Sequence, residues 1–416
     1  MDKLQIIGNT PLHGDVSIGG AKNAVVAIIP ATILAQGECI LENVPRLTDV
    51  LVQCEILEAM GAHIDWVDAN ILRVDTTDIK TAIVPEHLSA KLRASYYLMG
   101  ALLGRFGRAV VGMPGGCKIG PRPIDQHLKG FQAMGCTYHL NQGLIELTAD
   151  PLVGSHVYMD IITVGGTINI MLAAAGAEGV TVIENAAREP EIIDLANFLN
   201  QIGVVVKGAG TGTIKIAGSN ERKGIRHNVI PDRIEAGTFM IAAAASGGDV
   251  VIKGLIPRHM EPLTAKLRET GSQVQEGDDW IRVTGNGVKA AADVKTLPYP
   301  GFPTDLQQPL SAFLATCSGT SVITENIFEN RFRHVDELKR MGANIKVEGR
   351  VAVIEGVVQL RGAAVSAHDL RASSALVVAG LSARGETIVS GLNYLERGYQ
   401  DFAGKLTALG ARIKTI

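Results

Sequence analysis

The stretch Leu47-Thr-Asp-Val-Leu-Val-Gln-Cys-Glu-Ile-Leu-Glu-Ala-Met-Gly61-Ala-His-Ile-Asp-Trp-Val67 decides how the chain is read. An amphipathic run stops at a glycine, as helices commonly do, and an Ile/Trp/Val-bearing segment follows at once. The same junction recurs at Gly135, Gly203, Gly271, Gly342 and Gly410, with successive spacings of 74, 68, 68, 71 and 68 residues. A period near ~70 is too long for one helical-solenoid unit, so each copy is expected to be a supersecondary block of its own.

Around Gly61 the block reads as an apolar, Ala-rich helix (22–35), a strand (38–42), a second helix (47–60) and two strands (62–67 and 71–76). The same order starts again near Arg93, Gly165, Glu235, Asp305 and Arg371. The last copy has only one strand after Gly410, and Leu4-Gln5-Ile6-Ile7 looks like its missing partner. The fold class expected is α/β, with two similar domains of three repeats each. These are residues 21–229, and residues 1–20 plus 230–416. Two linkers between similar lobes favour a hinge, with a ligand site in the cleft between them.

Composition agrees with several units and excludes other classes. The 416 residues carry 39 Lys+Arg against 42 Asp+Glu and are 46% hydrophobic, which argues against a disordered chain and against a non-specific nucleic-acid binder. Glycine, at 47 residues, exceeds the usual share of about 7%, and aromatics are only 4%. The longest low-charge stretches, such as residues 164–177, fall short of the ~20 residues that span a membrane, and no leader pattern opens the sequence. Five cysteines without paired spacing point to a reducing compartment, so a soluble cytoplasmic protein is expected. The ten histidines show no metal-ligand spacing, and neither a Walker sequence nor a Gly-x-Gly-x-x-Gly after a strand occurs. No metal and no cofactor are expected.

Polar residues fall into two registers of the repeat. Lys22-Asn23, Arg93, Thr163 with Gly165, Asp232-Arg233, Asp305, and Asp369 with Arg371 precede or open the first helices. Arg46, Arg122, Arg188, Arg258, Arg331 and Arg397 stand before the second helices. Taken singly, an Arg or Asp at such a place is a cap or a surface ion pair. Taken together, helix amino termini and guanidinium forks suit phosphate and carboxylate ligands.

Cys117 lies in the Gly/Pro-rich run Gly112-Met-Pro-Gly-Gly-Cys-Lys-Ile-Gly-Pro-Arg-Pro-Ile-Asp125, a composition that belongs on a surface loop. Lys118 and Arg122 nearby would lower its thiol pKa; the alternative is an incidental loop thiol. Cys39 (strand), Cys54 (helix), Cys136 (just after a helix) and Cys317 (inside an apolar helix) read as inert. Asp305, after Pro303-Thr304, carries a helix-cap signature, or it is a general base if a substrate hydroxyl reaches it. His127 reads as a helix-surface histidine, with a catalytic role as the alternative.

Lys22-Asn23 within Gly19-Gly-Ala-Lys-Asn-Ala, the Cys117 run, Glu184-Asn-Ala-Ala-Arg-Glu-Pro-Glu191, Phe302-Pro-Thr-Asp305, Phe328-Glu-Asn-Arg-Phe332 and Asp369-Leu-Arg-Ala-Ser373 closely resemble the UDP-N-acetylglucosamine 1-carboxyvinyltransferase family of the enolpyruvyl transferase superfamily. The match covers essentially the whole chain. It implies two inside-out α/β domains and transfer of an enolpyruvyl group from phosphoenolpyruvate to the 3'-hydroxyl of UDP-N-acetylglucosamine, with release of phosphate, in peptidoglycan synthesis. These two small molecules are the expected partners, with no nucleic acid, membrane or metal.

The resemblance implies that phosphoenolpyruvate is held by Lys22, Asn23, Arg122, Arg371 and Arg397. It implies that the sugar nucleotide is held by Arg93, Arg122, Pro123, Ile124, Asp125, Gln126, Ile161, Ile162, Thr163, Val164, Asp305 and Ile327. Asp305 would take the proton of the 3'-hydroxyl, and Cys117 would donate one to the C3 methylene and form a covalent adduct. Lys22 and Arg397 would join the catalytic set. Ile161 departs from members that carry a lysine there, so its contact would be backbone or apolar. The competing readings are an enolpyruvyl transferase acting on another acceptor and a non-catalytic sugar-nucleotide-binding scaffold.

Overall fold

The computed structural model describes residues 3–113, 123–285, 287 and 289–416. They fall into two compact units. Residues 20–113 with 123–230 form the first, and residues 3–19 with Pro231–Ile416 form the second. The chain passes between units at Gly19/Gly20 and at Ile230/Pro231.

Each unit is built from one pattern used three times. In the block around Gly61, helix Lys22–Ala31 runs into a 3-10 turn, Thr32–Leu34, strand Cys39–Glu42 follows, helix Thr48–Ala59 comes next, and strands His63–Asp68 and Ile71–Asp75 close it. The sheet order is Arg226–Asn228, Cys39–Glu42, Ile71–Asp75, His63–Asp68, with the first pair parallel and the rest antiparallel. Four other sheets repeat this order and polarity. The sixth has three strands, and a single parallel bridge from Ile83 to Val110 stands in for the edge strand. In the last sheet of the second unit the third place belongs to Leu4–Ile7, antiparallel to both Glu386–Ser390 and Arg412–Thr415, as expected from the sequence.

The helices lie inside and the sheets outside, so the arrangement is inside-out. Every residue of Val164–Ala174 except Val164 is buried, as are all but two of Arg233–Ser246. A helix that is apolar all round needs cover on every side, and here neighbouring helices and sheet faces supply it. Strands such as Val351–Glu355 alternate buried and more exposed positions, the pattern of a sheet covered on one face. Helices Tyr97–Phe106 and Val164–Ala174 approach to backbone contact: a Cβ on Gly100 would lie 2.3 Å from the Asn169 carbonyl oxygen.

The six repeat glycines share one backbone state. Gly61, Gly135, Gly203, Gly271, Gly342 and Gly410 have φ of 107°, 87°, 116°, 89°, 92° and 93°, the left-handed turn that ends a helix and releases the chain into a strand.

Candidate active site

In the first unit Lys22 opens its helix after Ala21, which has no side chain able to cap the first turn. Its Nζ pairs with Asp49 Oδ2 at 2.7 Å, and both side chains are largely buried. Asp49, in the first turn of the next helix, was not singled out by the sequence reading, where Thr48-Asp49 looks like an ordinary helix start. The pair fixes the ammonium, with Asn23 next to it at the start of the same helix.

Arg93 begins the 3-10 turn Arg93–Tyr96, and its guanidinium lies 5.9 Å from the Tyr96 ring centre. Asp125 and Gln126 open helix Asp125–Ala133 after Pro123 and Ile124. The Gln126 amide donates to Asp125 Oδ2 (2.9 Å) and Asp160 Oδ2 (3.1 Å), while its Oε1 accepts from the Asp160 amide at 2.9 Å. Lys129 holds the other Asp160 oxygen at 2.6 Å. This mesh ties the start of one helix to the segment Ile161-Ile162-Thr163, where both isoleucines are exposed and Thr163 leads into helix Val164–Ala174.

His127 is not on a helix surface, correcting the sequence reading. It is 4% exposed, and its Nδ1 lies 2.9 Å from Asn169 Nδ2. Its ring stands edge-on to Tyr96 at 5.0 Å. Burial, with the Arg93 charge adding to it and Asp125 opposing, pushes His127 down to about 3.

In the second unit Asp305 is not the helix cap its sequence suggests, because no side chain caps helix Thr304–Leu314. Its carboxylate lies between two guanidinia: Arg331 Nη2 donates to Oδ1 at 2.6 Å and Arg371 Nη2 to Oδ2 at 2.8 Å. The carboxylate is 25% exposed, whereas the arginines are 3% and 6% exposed. Such a carboxylate is fixed in direction by its charged donors.

Arg371 is itself positioned by Asp369, whose Oδ1 caps the amides of Arg371 and Ala372, both at 2.9 Å. Burial disfavours the charge on Arg371, but Asp305, with Tyr399 and Asp232, outweighs it and holds the guanidinium above the ordinary arginine range. Beneath Arg331, its carbonyl accepts from Gln308 Nε2 at 2.9 Å, and the buried His334 meets Ser311 Oγ at 2.6 Å.

Ile327 is tied to the same helix start through the buried Glu325, which accepts from the Ile327 amide (2.9 Å), Thr296 Oγ1 (2.9 Å) and Thr304 Oγ1 (2.9 Å). Arg397 is half-buried in the turn between helices Leu392–Leu395 and Phe402–Ala408. Cys117 and Arg122 lie outside the described residues.

The remaining cysteines are buried. Burial pushes Cys39 and Cys136 up to about 11 and Cys54 and Cys317 up to about 12. Cys317 sits just beyond helix Thr304–Leu314 rather than within it, because that helix ends at Ala315. Among the described residues no group of three or more His, Cys, Asp and Glu is placed to hold a metal ion. No helix among them is long and apolar enough to cross a membrane.

The first unit thus carries Lys22 paired with Asp49 and Arg93 beside Tyr96, and the second a carboxylate clamped by two arginines. The EPSP synthase (3-phosphoshikimate 1-carboxyvinyltransferase) family description fits residues 6–406. The chain belongs to this family of enolpyruvyl transferases.

Among relatives, a protein of Geobacillus kaustophilus named UDP-N-acetylglucosamine 1-carboxyvinyltransferase 2 is 54% identical over 99% of this chain and 96% of its own length. A protein of the same name from Bacillus subtilis is 53% identical over 99% and 96%. Among solved structures, the enolpyruvyl transferase NikO from Streptomyces tendae superposes with a TM-score of 0.90 at 26% identity, covering 100% of this chain and 98% of that one. An EPSP synthase of Acinetobacter baumannii, at 18% identity and a TM-score of 0.76 over the full length of both chains, shares the fold.

Proposed function

We propose that the protein transfers the enolpyruvyl group of phosphoenolpyruvate to the 3'-hydroxyl of UDP-N-acetylglucosamine and releases phosphate, the first committed step of peptidoglycan synthesis, acting in the cytoplasm without a metal. The full-length identity with proteins named for that reaction carries the choice of acceptor. The clamped Asp305 supports the chemistry.

In this reading Lys22, Asn23, Arg122, Arg371 and Arg397 hold phosphoenolpyruvate. Arg93, the residues from Arg122 to Gln126, Ile161, Ile162, Thr163, Val164 and Ile327 hold the sugar nucleotide. Asp305 accepts the proton of the 3'-hydroxyl as its oxygen bonds to C2 of phosphoenolpyruvate, while C3 gains a proton from Cys117. The resulting tetrahedral ketal loses phosphate from C2 and a proton from C3, restoring the vinyl ether. The cationic groups stabilise charge on carboxylate and phosphate through both steps. Exclusion of water by the Cys117 segment would protect the ketal.

Phosphate release from phosphoenolpyruvate, with UDP-N-acetylglucosamine or shikimate 3-phosphate as acceptor, tests the reading. Release is expected only with the sugar nucleotide, and it should be lost in Asp305→Ala and strongly reduced in Cys117→Ser. Absence of release from the unaltered protein, or release with shikimate 3-phosphate alone, overturns it.

A further inference from the structure

His127 and Asn169 form a buried pair that the reading above leaves without a task. Asn169 is fully buried on helix Val164–Ala174, and its two amide atoms are separately occupied: Oδ1 accepts from the Gly100 amide at 2.9 Å and Nδ2 faces His127 Nδ1 at 2.9 Å. A backbone N–H can only donate, so the Gly100 contact orients the side-chain amide with its oxygen toward Gly100 and its NH2 toward the imidazole. His127 Nδ1 must then accept, and the ring proton of the neutral imidazole resides on Nε2.

The Cε1–Nε2 edge of the ring faces the first turn of helix Val164–Ala174. A Cβ built on Gly165 would lie 3.1 Å from His127 Nε2, 3.0 Å from Cε1 and 2.8 Å from Tyr96 Oη. Glycine there lets the backbone of the first turn lie closer to the ring edge and the phenol hydroxyl than any side chain would allow. Among the described residues the ring's hydrogen bond is the one at Nδ1.

We infer that Asn169 is a positioning residue that locks His127 as the Nε2–H tautomer, so that His127 presents a permanent neutral hydrogen-bond donor, beside the Tyr96 hydroxyl, to an acceptor oxygen of the bound sugar nucleotide at Gly165. The inference rests on the sugar-nucleotide reading of Thr163 and Val164. It extends that reading to a histidine whose use depends on which nitrogen carries the proton.

The charged groups around His127 are Arg93 and Asp125, and burial outweighs the pull of Asp125. Lys129 and Asp160, near the same helix, are paired with each other. Nothing described is placed to turn the ring into an imidazolium at neutral pH, so the donor is constant across the working range.

Two measurements test this. On the intact protein, 15N NMR of the labelled imidazoles should show His127 with a pyridine-like Nδ1 and a protonated Nε2, and the Nε2 proton should shift when UDP-N-acetylglucosamine is added. An Nδ1–H tautomer, or no shift on saturation, overturns the inference, and neither reading requires turnover. Kinetically, Asn169→Asp puts an acceptor against Nδ1 and transfers the proton there. KM for the sugar nucleotide should then rise about tenfold, the worth of one such hydrogen bond. At low pH the same variant should recover, because the imidazolium regains Nε2–H; kcat should change less. Gly165→Ala should raise KM without altering the tautomer. A pH-independent effect on kcat alone in Asn169→Asp, or an unchanged KM in Gly165→Ala, overturns it. Should Asn169→Asp fail to fold, the tautomer and its response to ligand decide the matter.

Discussion

Arg331 reaches Asp305 Oδ1 with Nη2 at 2.6 Å and leaves Oδ2 to Arg371, so the orientation of the carboxylate depends on two arginines that stand 26 and 66 residues along the chain. Removing Arg331 takes away the guanidinium that donates to Oδ1 of Asp305. Arg331→Ala is expected to lower kcat by about ten- to a hundredfold with a smaller change in KM, the signature of lost orientation at a group that acts in the transition state. Wild-type kcat in this variant would sink the claim that Asp305 is aimed by its clamp.

Asp305→Ala and Asp305→Asn both lose the base and are expected to slow turnover by about 10²–10⁴-fold. Both also leave two largely buried guanidinia without their carboxylate, and the asparagine NH2 can only donate toward one of them, so each should cost about 3 kcal/mol of stability. Denaturation midpoints beside steady-state rates check the pair; wild-type stability in both variants would contradict the clamp.

Thiol chemistry should single out Cys117. The other four cysteines are buried with thiols pushed to about 11 or 12, so at pH 7.5 they hold almost no thiolate. Alkylation of the native protein, or the epoxide fosfomycin, is expected to give one adduct by mass spectrometry, and none in Cys117→Ser. A fast adduct on Cys39, Cys54, Cys136 or Cys317 would refute it.

His334 gives stability a pH dependence of definite sign. Burial pushes it down to about 4, against about 6.5 in the unfolded chain, so unfolding takes up a proton between those values. Its contribution is complete above about pH 6.5 and declines as pH falls toward 4, by no more than about 1.4 kcal/mol per pH unit. Denaturation at pH 7.5, 6 and 5 should show a steeper decline for wild type than for His334→Gln. Parallel declines would rule this contribution out.

The repeat glycines should differ in cost. Alanine at Gly342 meets only the left-handed backbone penalty, about 1 kcal/mol, since nothing lies within 4 Å of its Cβ. At Gly203 the Cβ would also come 2.6 Å from the Glu221 carbonyl oxygen, so the loss there should be larger. The order of thermal midpoints decides.

The repeat was legible in the sequence because each helix must end in a left-handed residue before its strand, and glycine marks that place six times. Helix ends were read less well: residues 32–34 tighten into a 3-10 turn that the apolar pattern does not distinguish from α-helix. The site was misread where partners come from afar. Thr304-Asp305 looks like a cap until Arg331, from later in the same repeat, and Arg371, from the next one, arrive. His127 looks exposed beside Asp125 and Gln126, yet Gly130, one turn on, lets the helix press against Ile170, whose Cδ1 would be 2.4 Å from a Cβ there. That glycine on the same face was the available clue.

The strand Leu4–Ile7 sets an order of events. It lies in a sheet whose other members are Ala364–Ser366, Glu386–Ser390 and Arg412–Thr415, so it is made more than ~350 residues before its partners and must wait for them. Residues 20–113 and 123–230 need none of those later strands and can settle during synthesis, while the second unit stays open until Arg412–Thr415 is made. Between these moments Leu4 and Ile6, which end fully covered, are bare apolar side chains on an unpaired strand. Nascent-chain aggregation and chaperone capture should therefore concentrate on the strand Leu4–Ile7.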